Sequence, residues 1–75
     1  MSRFTLVGVD GNAFCIMGYT ANALKRAGLR DKISEMHERA TAGDYNNLIC
    51  VCDEYVEMAN KELGLDEEDD EYEDD

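Results

Sequence analysis

Four side chains in this 75-residue sequence have the chemistry of metal ligands or nucleophiles: Cys15, Cys50, Cys52 and the single histidine, His37. Three thiolates and an imidazole would suit a tetrahedral zinc ion. Their spacing argues against it. Cys50 and Cys52 form a C-x-C pair inside a segment of helical period, where positions two apart point ~200° away from each other. No C-x-x-C accompanies them, and His37 falls on the apolar face of its predicted helix. Small reduced cysteines are ordinary core residues, so no metal ligand is assigned and no cofactor is expected. A thiol and an imidazole could also serve as nucleophile and base, but nothing local marks an activated thiol. His37 is expected in the core or at an interface.

Two further patterns bear on ligands. Gly8 and Gly11 flank a predicted helix start, where backbone N–H groups bind phosphates. The Gly-rich phosphate-binding patterns are absent, and Asp10 would repel an anion. Lys25, Arg26, Arg30 and Lys32 place four of the seven basic residues within eight positions. Such a spot is an electrostatic footprint for nucleic acid. The acidic run described next would compete for it, so nucleic acid is the alternative rather than the expected partner. No carboxylate pair is placed for acid/base work in an apolar pocket, and no nucleophile has a base in a recognisable motif. The sequence predicts no catalytic residues and no enzymatic activity.

Charge is distributed very unevenly. Asp66, Glu67, Glu68, Asp69, Asp70, Glu71, Glu73, Asp74 and Asp75 put nine carboxylates in the last ten positions. Residues 1–65 carry 9 acids against 7 bases, so most of the net charge of −11 belongs to residues 66–75. Such a run has too little apolar area to offset chain entropy and is expected to be a disordered acidic tail. The remainder, residues 1–65, is one small domain, of a size that buries only about 60% of its unfolded surface. No leader-type segment precedes the first apolar run, and no run approaches the ~20 apolar residues needed to span a bilayer. A cytoplasmic protein without membrane contact is expected.

The elements that must position these groups begin with Phe4–Val9, rich in β-formers with a loose period of two. Phe4 and Leu6 point one way; Thr5, Val7 and Val9 point the other. Asp10-Gly11 is a turn signal and Asn12 a helix N-cap. A broad apolar face then runs from Phe14 to about Gly28, interrupted by Gly18, which predicts close backbone packing or a break. Asp31 is expected to cap a second helix, with Ile33, Met36, His37 and Ala40 on one face. Gly43 closes it and Asp44 caps a third, carrying Tyr45, Leu48, Ile49, Cys52, Val56 and Ala59 inward with Asp53, Glu54 and Glu57 outside. The predicted fold is therefore α+β: one N-terminal strand followed by three helices, βααα. A lone strand leaves unpaired backbone groups. The expected remedy is a homodimer joined through Phe4, Leu6 and Val7, and the rival is intramolecular pairing with residues 55–58.

Asp10-Gly11-Asn12-Ala13-Phe14 with Ile16-Met17-Gly18, then Ala23-Leu24 and Ala27-Gly28, then Gly43-Asp44-Tyr45 with Leu48, resembles a group of small proteins from phages, prophages and mobile elements. Their pattern reads G-x-D-G-N-A-F-x-I-x-G, A-L-x-x-A-G and S-G-D-Y-x-x-L-L, and the resemblance covers residues 7–56. Ala42 stands where the pattern has Ser, and the acidic run is an addition. The resemblance implies a genomic neighbourhood rather than a chemistry. Small size, absent catalytic groups and concentrated charge point to a non-enzymatic protein-interaction module, such as a phage-encoded inhibitor of a host or defence protein. Its partner is expected to present a basic surface to Asp53, Glu54, Glu57 and Asp66–Glu71. The alternatives are a nucleic-acid accessory using Lys25–Lys32 and a metal or thiol protein using the cysteines and His37.

Overall fold

A computed structural model describes residues 3–65. Three helices follow in order: α1 (Ala13–Arg26), α2 (Asp31–Ala40) and α3 (Tyr45–Leu63). Short connections reverse the chain twice, so the start of α1, the end of α2 and the start of α3 share one end of the bundle. Ala13, Ala40 and Tyr45 accordingly line one shallow hollow. The opposite end gathers the end of α1, the start of α2 and the end of α3. The core is formed by Ile16, Met17, Ala23 and Leu24 of α1, Met36 and Ala40 of α2, and Leu48, Val51, Cys52, Tyr55 and Ala59 of α3.

Local chemistry sets most of the boundaries. Asn12 caps α1 by accepting from the Phe14 N–H at 2.8 Å, and Asp44 caps α3 by accepting from the Asn47 N–H at 3.0 Å. Gly28 closes α1 as expected, with the Leu29 N–H donating back to the Leu24 carbonyl at 2.8 Å. Gly64 ends α3 in the left-handed region at φ +75°, and Leu65 beyond it is buried. Asp31 does not cap α2. It is the first helical residue, while Arg30 occupies the cap position without a side-chain bond. Turn bonds from the Lys32 N–H to Leu29 and from the Ile33 N–H to Arg30 begin that helix instead.

The predicted α+β class is wrong: among the described residues there are three helices and no strand. Residues 3–5 are an extended strap, and residues 6–9 form a turn in which the Val9 N–H donates to the Leu6 carbonyl at 3.1 Å. Gly8 sits at φ +88°, the left-handed position that a type II turn requires and that glycine adopts without steric cost. That turn ends the period of two. Phe4 and Leu6 face the bundle and Val7 faces solvent, but Val9 is swung back against the core.

Backbone groups that a partner strand would satisfy are taken up by side chains. The fully buried Asn60 of α3 pairs with Phe4 in both directions: Oδ1 accepts from the Phe4 N–H at 2.7 Å, and Nδ2 donates to the Phe4 carbonyl at 2.8 Å. The Thr5 N–H donates to the Tyr19 hydroxyl at 2.9 Å, and the rings of Phe4 and Tyr19 meet edge to face at 5.9 Å. Strand pairing across a dimer through Phe4, Leu6 and Val7 therefore has no strand to build on. Residues 55–58 lie inside α3, which removes the intramolecular rival too. Gly18 corrects another expectation. Helix α1 is unbroken there, and the space beside its Cα is open rather than filled by a second backbone.

Candidate interaction surface

The most exposed large apolar side chains are at the end of the bundle where α1 and α3 begin and in the loop leading there. Val7 is 86% exposed, Phe14 81% and Tyr45 49%. The backbone that carries them is tied down at each step. Asp10 Oδ1 accepts from the Asn12 N–H at 2.9 Å, a local bond that shapes the turn before α1. Asn12 then caps Phe14. The Tyr45 hydroxyl reaches across from α3 and donates to the Gly11 carbonyl, locking the loop to the first turn of α3. Beside Tyr45 lies a hollow of about 350 Å³ lined largely by Ala13, Met17, Ala40 and Leu48. Phe14 is thus an apolar projection on a tied-down helix start, Val7 projects from the preceding turn, and Ala13, one residue before Phe14, lines the recess. The helical period placed Phe14 and Tyr45 on buried faces; in the structure Phe14 follows the cap directly and overhangs the end of the core, and Tyr45 does the same on α3.

The residues singled out for metal or thiol chemistry do not converge. Cys15 and Cys50 are exposed, and Cys52 is buried. Burial pushes the Cys52 thiol above its ordinary range, with a bond to the Thr20 side chain pulling the other way, so it is a protonated core group rather than a reactive thiolate. His37 is exposed, not in the core, and lines an open groove on the outer side of α2 with Arg30, Ile33, Ser34, Glu38 and Thr41. Among the described residues no group of three or more His, Cys, Asp or Glu side chains is placed to hold a metal ion.

The predicted acidic binding residues divide. Asp53, Glu54 and Glu57 are all exposed on α3. Glu54 accepts a bidentate pair from Arg39, at 3.3 Å and 3.2 Å, and Glu57 pairs with Arg3 at 2.6 Å. Asp53 has no ion-pair partner among the described residues. Asp66, Glu67, Glu68, Asp69, Asp70 and Glu71, together with the whole expected tail 66–75, lie outside the described residues. No helix among those described is long and apolar enough to cross a membrane.

One polar network carries no sequence signature. The Tyr55 hydroxyl, on an otherwise buried side chain, donates to Glu35 Oε2 and accepts from Arg39 at 3.1 Å. Burial first, and then the bond to Glu35, raise the Tyr55 pKa above its ordinary value. The bonds to Tyr55 and Glu54 hold Arg39 still more firmly protonated. This network fastens α2 to α3 through side chains 16 and 20 positions apart in the chain. Compared with protein-family models, curated proteins and solved structures, the chain matches none.

Proposed function

We propose that the chain is a non-enzymatic protein-interaction module that docks a partner on its aromatic end. The observation that carries this reading is Phe14, 81% exposed on a loop and helix start held by Asp10, Asn12 and Tyr45. An aromatic ring is a large apolar payload, and rigid aromatic anchors dominate interface energetics. Holding such a ring in water on an ordered backbone prepays the ordering that binding would otherwise require. The partner would offer an apolar recess for Phe14 and Val7, with a side chain to fill the hollow beside Tyr45. A basic rim on that partner would be drawn by the net charge of −11, which speeds encounter more than it tightens the complex. The resemblance to phage and prophage proteins supports a host or defence protein as that partner, with the module acting as a stoichiometric inhibitor.

The test uses the tagged full chain as bait in a lysate of the cell that produces it, beside a Phe14→Ser variant. A protein captured in near-stoichiometric amount by the first and lost with the second is the expected result. Equal capture by both baits at unchanged helicity would remove Phe14 from the interface and the reading with it.

A further inference from the structure

The N-terminal strap is seated on three side chains, Tyr19 of α1 and Glu57 and Asn60 of α3. Consecutive strap residues each meet a partner of their own. Arg3 donates to Glu57 at 2.6 Å. Phe4 exchanges two main-chain bonds with the Asn60 amide and sets its ring edge to face with Tyr19. The Thr5 N–H donates to the Tyr19 hydroxyl at 2.9 Å. The seat thus reads extended main chain at two residues, an aromatic ring at one and a cation at another. None of these contacts depends on how the strap is joined to the bundle.

That join is slight. Residues 6–9 make one turn, closed by the Val9 N–H on the Leu6 carbonyl, with the Val7 N–H on the Thr5 hydroxyl beside it at 3.2 Å. Leu6 and Val9 pack on the core at either side, so the hinge between them is Val7-Gly8. Val7 is 86% exposed, and nothing lies within 4 Å of where a Gly8 Cβ would be. The turn keeps its shape through its own backbone, and Gly8 at φ +88° is the residue that permits it. Opening the turn straightens the chain and carries residues 3–6 away as a unit. An empty seat is costly, because the buried Asn60 amide loses both partners together. A departing strap is therefore favoured to be replaced, and a second copy carries an identical one.

We infer that Tyr19, Glu57 and Asn60 form a recognition seat for an extended Arg-Phe-Thr segment, whose alternative occupant is the strap of a second copy, delivered when the Val7-Gly8 turn opens. Two copies then trade straps around a two-fold axis, and each seat regains the contacts it had. No strand pairing is involved. Gly8 decides between the two arrangements. While the tight turn is unstrained, the short tether gives the strap an effective concentration on the order of millimolar, and the monomer prevails at micromolar concentration. Charge acts in the same direction, since copies of net charge −11 repel each other until salt screens them. The aromatic end takes no part, so the inference stands or falls apart from the proposed function.

The test places Gly8→Val in the full chain. A β-branched residue at this φ is a steric outlier, and no neighbouring side chain complicates the effect. Sedimentation at about 500 mM salt, where repulsion is screened, should show dimer at a concentration about ten-fold or more below that needed by the parent. Adding Phe14→Ser should leave that shift unchanged. In a mixture of isotope-labelled and unlabelled Gly8→Val protein, contacts between the Phe4 and Tyr19 rings should appear between chains. The parent, refolded from urea at about 1 mM, where a second copy competes with the tether, should show the same interchain contacts as a minor set. A folded Gly8→Val protein no more dimeric than the parent would overturn the inference. So would a dimer whose Phe4 and Tyr19 rings meet only within one chain, or a refolded parent without interchain contacts.

Discussion

Asn60 does for the N-terminal strap what a neighbouring strand would have done, and does it with one amide. Its two bonds to Phe4 are made by a fully buried side chain, where an unmet partner carries its whole desolvation penalty. Asn60→Ala should destabilise the fold by about 2–3 kcal/mol in urea unfolding and expose the Phe4 and Thr5 amides to rapid hydrogen exchange. Exchange at Phe4 unchanged from the parent would show that the strap is held by something else. Tyr55 is the second residue of this kind. A group whose pKa is raised on folding adds stability below its unfolded pKa and loses it as pH rises. Tyr55, and Cys52 in the same sense, should therefore make the protein less stable as pH climbs from ~8.5 through ~10 and above. Tyr55→Phe, which cannot ionise, should lower stability by about 1–3 kcal/mol at neutral pH and flatten the alkaline part of the curve. An alkaline limb of equal slope in that variant would acquit Tyr55.

At the scale of elements, the three helices were legible because their signals are local. Asn12, Asp44 and Gly28 begin or end helices where their side-chain oxygens or backbone freedom are needed, and the stripes of α1 and α3 reach the core. The strap was not legible. Phe4–Val9 has strand composition, but β-propensity reports fit to a half-buried surface rather than a backbone preference. Here that surface is offered by α1 and α3. The decisive partner, Asn60, is 56 positions away and reads in sequence as one polar residue near a helix end. Gly18 was misjudged for a related reason. A glycine within a helix suggests close approach, yet nothing lies within 4 Å of where its Cβ would be. Gly18→Ala should consequently stabilise α1 by about 0.5–1 kcal/mol, read as a higher melting temperature. A loss of stability would mean that a neighbour does pack there.

For the molecule as a whole, the bundle separates two chemistries by the length of its helices. One end is aromatic, with Phe14 and Tyr45 projecting and the exposed Asp10 and Asp44 in the loop and cap that carry them. The other carries Lys25, Arg26, Arg30, Lys32 and Lys61. The candidate site was legible only in part. Its motif, Asp10-Gly11-Asn12-Ala13-Phe14, stood out as turn and cap chemistry. That Phe14 points outward depends on where the core stops, and a periodic pattern does not contain that information. The acidic residues of α3 stood out by charge alone, and two of them prove to be engaged with Arg3 and Arg39.

Affinity for a captured partner is the most direct measure of whether the aromatic end is the binding surface. With the purified partner in a calorimeter, Phe14→Ser in the full chain should weaken binding by about 2–4 kcal/mol, about 30-fold or more, as loss of a central aromatic anchor does. Its melting temperature should stay within a few degrees of the parent, because the ring is four-fifths exposed and surface changes alter stability by about 0.5 kcal/mol or less. An unchanged Kd in a folded Phe14→Ser protein would contradict the account.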